Sequence, residues 1–128
     1  CGSVDQVSQI LQLCDIEVVS GDDMLTLPMM AVGGKGVVSV IANLMPTDCK
    51  ALVDACAAGD FAKAREIHYR LLPLMRAMFI DTNPIVIKKA LQLVGFGNGV
   101  CRMPMTPLTE EKVTQLKAIL SDNGVALA

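Results

Sequence analysis

Two short β-branched runs in the sequence end in small or polar residues that could face a ligand. Residues 18–19 are followed by Ser-Gly-Asp-Asp at 20–23, and residues 37–38 by a segment from Ser39 to Asn43. Glycine after a strand lets the backbone approach a small ligand closely, because it has no Cβ. Gly21 is therefore a candidate ligand-facing residue. Taken alone, however, it is more typical of a simple turn, and Asp22 is more typical of a helix N-cap than of an acid or base.

Other site chemistries find little support in the residues. The run at 33–36, Gly-Gly-Lys-Gly, resembles a phosphate-binding loop, but the earlier glycine is replaced by Met29 and the Ser or Thr after the lysine by Gly36. His68 is the only histidine, and without a second histidine or a paired thiolate it cannot build a zinc site. The eight methionines do not recur at a metal-binding spacing, so we interpret them as core residues.

The segment between the two runs predicts how they are positioned. Its apolar periodicity over residues 24–32, closed by two glycines, indicates a crossover helix. The runs are then parallel strands, predicted over residues 16–20 and 37–41. The near-continuous apolar character of the first strand favours burial on both of its faces.

The rest of the chain predicts further helices. They cover residues 3–13, 46–58, 61–80, 85–94 and 109 or 110–121. Ser3 is expected to cap the first of these, and Asp22 or Asp23 to cap the crossover helix. Pro73 should kink or locally break the helix that contains it, because its nitrogen cannot donate and its ring crowds the preceding turn.

Composition excludes several classes of partner. Eleven Lys and Arg against thirteen Asp and Glu give a net charge of −2 and no basic patch for nucleic acid. Three Phe, one Tyr and no Trp leave few platforms on which bases could stack. No apolar run approaches the roughly 18 residues of a membrane span, and no secretory signal is visible. Five cysteines without a CxxC pair favour a reducing, cytoplasmic compartment with free thiols.

Four motifs together resemble the dihydrodipicolinate synthase family of pyruvate-dependent, class I aldolase-type lyases. They are Ser-Gly-Asp-Asp at 20–23, Gly-Gly-Lys-Gly-Val-Val-Ser-Val at 33–40, Asn-Pro-Ile at 83–85 and Pro-Met-Thr-Pro-Leu at 104–108. Each motif is weak by itself, and their joint order and separation carry the resemblance, which covers nearly the whole chain. The first and third motifs favour the synthase over its sister, N-acetylneuraminate lyase, which stays an alternative.

The resemblance implies an α/β fold, namely the C-terminal portion of a (β/α)8 TIM barrel followed by an α-helical domain. The two strands would be the last two of the barrel, which alone needs about 200 to 250 residues. We therefore expect residues 1–58 to form a partial barrel segment and residues 59–128 a C-terminal helical domain. The chain resembles the C-terminal part of such an enzyme.

The family's reaction, as the resemblance implies it, condenses pyruvate, held as a lysine imine, with aspartate semialdehyde in lysine and diaminopimelate biosynthesis. In such barrels the site lies at the carboxyl ends of the strands. Gly21 matches the family's position beside the adduct. Val38 matches a branched residue, commonly Ile, whose main-chain carbonyl lies near pyruvate. No cofactor and no metal are expected.

None of the seven lysines suits imine formation, which needs a neutral amine. Lys35 precedes its strand, and the others lie on predicted helices among polar neighbours. The resemblance places the Schiff-base lysine about three residues upstream of Cys1. We therefore expect no catalytic residue within this chain and no activity of the chain alone.

A hypothesis from a different class is a non-catalytic helical oligomerisation module. Two parallel strands without further neighbours expose unpaired amides and carbonyls, which favours pairing with another chain. We therefore expect a homo-oligomer. A monomer of 13.6 kDa in size-exclusion chromatography with light scattering would contradict that expectation.

Overall fold

The chain is mostly helical and contains one small parallel sheet. A computed structural model describes residues 1–128. The elements in chain order are α1 (Val4–Leu13), β1 (Val19–Ser20), α2 (Thr26–Ala31), β2 (Gly36–Val37), α3 (Pro46–Ala57), α4 (Phe61–Ala77), α5 (Ile85–Leu93) and α6 (Glu110–Asp122). Two short 3₁₀ turns cover Asp23–Leu25 and Ile41–Asn43. None of the helices combines the length and apolar character that crossing a bilayer requires.

Two compact units make up the chain, Cys1–Leu71 and Leu72–Ala128. In the first unit α2 packs against α1, β1 and α3. Its apolar core consists of Val7, Met29, Met30, Ile41, Cys49, Leu52, Cys56, Ala64, Ile67 and Leu71. In the second unit α5 packs against α6. Its core consists of Leu74, Met75, Ala77, Met78, Ile85, Val86, Ile87, Ala90, Leu108, Val113, Leu116 and Leu120.

The predicted parallel pairing of the two strands is confirmed, with Val19 opposite Gly36 and Ser20 opposite Val37. The first strand, however, is two residues long rather than the five predicted over 16–20. Its predicted burial on both faces is wrong as well, since Ile16 is 56% and Val19 48% exposed. A β-branched run favours extended backbone, but a strand forms only where a partner strand supplies hydrogen bonds.

The second strand also ends earlier than the predicted residue 41. β2 stops at Val37, and the chain then enters the 3₁₀ turn Ile41–Asn43. The amides of Val40 and Ile41 donate to the carboxylate of Asp23 and not to a neighbouring strand. The Asp23 side chain therefore accepts the hydrogen bonds that a neighbouring strand would accept in a longer sheet.

The crossover between the strands is helical as predicted, but it has two parts. Asp22 caps the 3₁₀ turn Asp23–Leu25, after which α2 begins. Gly33 and Gly34 end α2 as predicted, and Gly33 does so with a positive φ of 110°. The amide of Gly34 donates to the carbonyl of Met29 at 2.8 Å, which satisfies one of the carbonyls left free at a helix end.

The remaining helices agree with the predictions except around Pro73. Ser3 caps α1 by accepting a hydrogen bond from the amide of Gln6. The helix α4 continues through Pro73, so the expected break is absent. α4 ends at Ala77 rather than near residue 80, because the amides of Phe79 and Ile80 donate to carbonyls three residues back and tighten the last turn.

Candidate functional site

The carboxyl ends of β1 and β2 lie side by side. Beyond the paired residues, the amide of Val38 donates to the carbonyl of Ser20 at 2.8 Å. Because the strands are parallel, the residues that follow each strand meet at one edge of the sheet. The two predicted site residues, Gly21 and Val38, are thus brought close together, since Gly21 directly follows Ser20.

Both residues are open to a ligand. Gly21 is exposed, and a Cβ added to it would have no heavy atom within 4 Å. The Val38 side chain is 71% exposed. The ligand-binding role of the two residues stays a prediction at this point.

A buried hydroxyl shapes the turn around Gly21. Ser20 is 1% exposed, and its Oγ accepts a hydrogen bond from the amide of Asp22 at 3.1 Å and donates to the Asp22 carbonyl at 2.6 Å. Oδ1 of Asp22 in turn accepts from the amide of Met24 at 2.9 Å. These bonds are local and fix the exit of the chain from β1.

Asp23 and its neighbour Asp22 have different roles, and this difference was not predicted from the sequence. Its side chain is 2% exposed, and its Oδ2 accepts hydrogen bonds from the amides of Val40 and Ile41, each at 3.0 Å. The Thr26 hydroxyl donates to its main-chain carbonyl at 2.8 Å. The available sequence signal was the pair of acidic residues at the start of a helix. One aspartate is enough to cap the helix, so the second points to another role.

A groove of about 280 Å³ lies next to the end of β2. Its lining consists of Val37, Ser39, Ala42, Pro46, Cys49, Lys50 and Val53. Oγ of Ser39 accepts from the amide of Ala42 at 2.8 Å and so supports the 3₁₀ turn. Burial raises the pKa of the Cys49 thiol to about 11, the hydrogen bond with Ser39 opposes this, and the Asp23 and Asp48 carboxylates raise it further. Cys49 is therefore a protonated core thiol near neutral pH, unsuited to act as a nucleophile.

No lysine lies among the residues that follow the two strands. Lys35 precedes β2 and its amide donates to the carbonyl of Val18, which places it at the opposite end of the sheet. The lysines on helices bind other groups or are exposed: Lys50 with Asp54, Lys63 with Glu66, Lys88 with the Val100 carbonyl, Lys89 with Gln92, Lys112 with Asp81, and exposed Lys117. The strand-end site therefore offers no amine for covalent chemistry.

The single histidine lies apart from this site in α4. Its Nδ1 is buried without a hydrogen-bond partner, and burial lowers the pKa of the imidazole. No group of three or more His, Cys, Asp or Glu residues is arranged to hold a metal ion. His68 is thus a half-buried residue of α4 and, as expected from the sequence, has no partner ligands for a zinc site.

Fold and site define a β/α protein whose candidate ligand site lies at the carboxyl ends of two parallel strands. The model of the dihydrodipicolinate synthetase family matches residues 1–123. The chain belongs to this family, which confirms the resemblance seen in its motifs.

Relatives of known name agree with this assignment. The 4-hydroxy-tetrahydrodipicolinate synthase of Methanococcus maripaludis is 47% identical over 96% of this chain, and that of Methanocaldococcus jannaschii 48% identical over the same share. The solved dihydrodipicolinate synthase of Aquifex aeolicus is 42% identical, with a TM-score of 0.97 over 99% of this chain. The chain spans 43% of the length of these two curated relatives and 44% of the Aquifex chain.

A further solved relative was determined with a ligand. The dihydrodipicolinate synthase of Acinetobacter baumannii, complexed with pyruvate, is 30% identical and has a TM-score of 0.91 over 98% of this chain and 44% of its own. Nearly the whole fold of this chain is therefore shared with a relative whose structure was solved in complex with pyruvate.

Proposed function

We propose that this chain supplies part of the pyruvate site of an enzyme that condenses pyruvate, held as a lysine imine, with aspartate semialdehyde. The observation that carries the proposal is the pairing of an open Gly21 with the exposed Val38 segment at the carboxyl ends of two parallel strands. Family membership supplies the reaction class, a carbon–carbon lyase of lysine and diaminopimelate biosynthesis.

In this proposal the main chain around Gly21 and Val38 lines the bound pyruvate. A glycine with free space above it lets the imine lie against the backbone. Because Val38 would act through its carbonyl, a valine where the family commonly has isoleucine is a mild change. Specificity at this edge would come from shape and main-chain polarity.

The imine-forming amine would come from residues other than those of this chain. A lysine attacks the keto carbon of pyruvate as a neutral amine and releases water, so it must lie within bonding distance of the bound keto acid. None of the seven lysines lies in the short segments, residues 21–23 and 38–43, that directly follow the two strands. We therefore propose that the chain alone is inactive, and that the complete enzyme supplies the lysine upstream of Cys1.

The same proposal assigns the architecture. The pair β1 and β2 would be the last two strands of a (β/α)8 barrel, with residues 1–58 as barrel segment and residues 59–128 as helical domain. High likeness to chains more than twice as long supports it. The five free cysteines fit a reducing cytoplasm.

Borohydride trapping tests the function. The chain is compared with a fusion in which the upstream residues of the Aquifex aeolicus relative precede Cys1, each incubated with pyruvate and reduced. Mass spectrometry should find a covalent adduct on the fusion and none on the chain. An adduct on a lysine of residues 1–128, or no adduct on a folded fusion, would show that the proposal is wrong.

Association is a second candidate property, favoured by exposed apolar side chains around the sheet. In the first unit these are Leu13, Ile16, Val19, Val32 and Val38. Burying such a surface against a second chain is favourable by roughly 25 cal/mol per Å². Light scattering should give a mass of at least twice 13.6 kDa, and a monomer at high concentration would contradict it.

A further inference from the structure

We propose that Asp23 is a positioning residue of the pyruvate site, holding the main chain that follows Val38 without contacting the substrate. The inference rests on the proposed function and deepens it, because it names the group that fixes the ligand-facing carbonyl. The Asp23 carboxylate is buried, and the proposed chemistry does not use it. Such a group is costly to bury unless its hydrogen bonds are satisfied.

The hydrogen bonds of Asp23 reach far along the sequence. Its Oδ2 accepts from Val40 and Ile41, which lie 17 and 18 residues away. Bonds from amides to a carboxylate are stronger than those between neutral groups. The carboxylate therefore ties the end of β1 to the segment that leaves β2.

The peptide that carries the Val38 carbonyl lies between two anchors. On one side, the Val38 amide is bound to the Ser20 carbonyl at 2.8 Å. On the other, the Val40 amide is bound to Asp23 at 3.0 Å. With the amides of residues 38 and 40 both fixed, the carbonyl between them has little freedom to turn. Its direction, which the proposed site depends on, is set from both sides.

The burial of Asp23 favours a positioning role over proton transfer to the substrate. Asp23 is 2% exposed, whereas Val38 is 71% exposed at the same edge of the sheet. A carboxylate that a ligand cannot reach does not act on it as acid or base. Asp22 provides the contrast, since its Oδ1 only accepts from the nearby Met24 amide.

Hydrogen exchange tests the anchoring in this chain. Asp23→Ala removes the acceptor, Asp23→Asn keeps an oxygen of the same shape, and Asp22→Ala is the matched control. Mass spectrometry of peptides covering residues 37–44 should show faster exchange in D23A and near-normal exchange in D23N and D22A. Unchanged protection in D23A would overturn the anchoring.

Imine formation tests the consequence in the Aquifex fusion. The rate of borohydride-trapped adduct formation should fall about 100-fold in D23A, the scale expected for misplacement of a reacting group by about 1 Å. D23N should recover most of this rate, and D22A should stay within about 3-fold of the unsubstituted fusion, the size of a change of about 0.6 kcal/mol.

The outcomes separate the two proposals. If D23N is as slow as D23A although residues 37–44 of the folded D23N keep normal protection, the carboxylate acts through its charge or proton, and the positioning role is wrong. If D23N is slow and residues 37–44 also exchange faster, the charged carboxylate is needed to hold this segment, and the positioning role stands. If D23A traps pyruvate at the normal rate, that role is wrong while the proposed function stands. If the folded, unsubstituted fusion traps nothing, the proposed function fails, and the positioning role fails with it whatever hydrogen exchange shows.

Discussion

In residues 1–71 the buried side chains include Ser20, Asp23 and Thr26, whereas the buried side chains of residues 72–128 are all apolar. The three polar residues lie within seven positions of one another, at the end of β1 and the start of the crossover. Each makes hydrogen bonds to main-chain groups. Polar burial in this chain is therefore concentrated at the candidate site.

The two units are therefore held in order by different kinds of interaction. An apolar core fixes helices by packing, and it tolerates substitution by residues of similar volume. A buried polar cluster fixes the direction of particular peptide groups, and each of its bonds is expensive to leave unmade. The proposed contact between pyruvate and the Val38 carbonyl needs the second kind of order, because a main-chain group has no side-chain rotamer to adjust.

Removing one buried hydroxyl tests whether the buried polar cluster stabilises the first unit. Thr26→Val should lower the free energy of unfolding by about 1 kcal/mol, because the Asp23 carbonyl loses the donor now at 2.8 Å. Valine has nearly the same shape, so little packing changes. Urea unfolding at pH 7 measures the difference.

A matched control lies in the second unit. The Thr114 hydroxyl donates to the Glu110 carbonyl at 2.9 Å, but both residues are exposed. Thr114→Val should change stability by less than about 0.5 kcal/mol, since water replaces the lost bond. Equal effects of the two substitutions would contradict the view that burial makes the polar cluster important.

Local signals made most of the helices predictable from sequence. Pro46 and Gly59 bracket α3, Gly95 follows α5, and Thr109 precedes α6, and each acts on its own neighbours. At Pro73 a kink or a local break was predicted, and α4 continues through this residue without a break. Helix ends depend on a few adjacent residues, so sequence patterns capture them well.

Strand length and the role of Asp23 were less predictable, for a common reason. Both depend on partners distant in sequence: β1 on residues 36 and 37, and Asp23 on amides 17 and 18 positions away. The predicted parallel strands imply that Gly21 and Val38 lie at one edge of the sheet, and the structure brings them together there. The sequence did not reveal which buried group holds that edge together.

The two units should also lose stability at different acidic pH values, and this effect should be smaller than those of the threonine substitutions. In the first unit, burial lowers the pKa of His68 below its ordinary value of 6.5. The unfolded chain then binds a proton more readily than the folded one, so the free energy of unfolding is highest above pH 6.5 and falls as the pH drops below it. His68→Gln should flatten this decline between pH 7 and pH 5, as measured by urea unfolding midpoints.

In the second unit the corresponding loss should begin at lower pH. The hydrogen bond from Lys112, 2.6 Å from Asp81, lowers the pKa of that carboxyl, with the Thr82 amide acting in the same direction. Its contribution is present above pH 3.8 and is lost as the pH falls through the lowered value. Lys112→Met should therefore change the unfolding midpoint at pH 5 and pH 7 equally and weaken the pH dependence only below about pH 4. Asp81 stays ionised between pH 7 and pH 5, so Lys112→Met should leave the pH dependence of the unfolding midpoint unchanged there. A changed pH dependence in that range would show that the two acid responses do not come from separate groups.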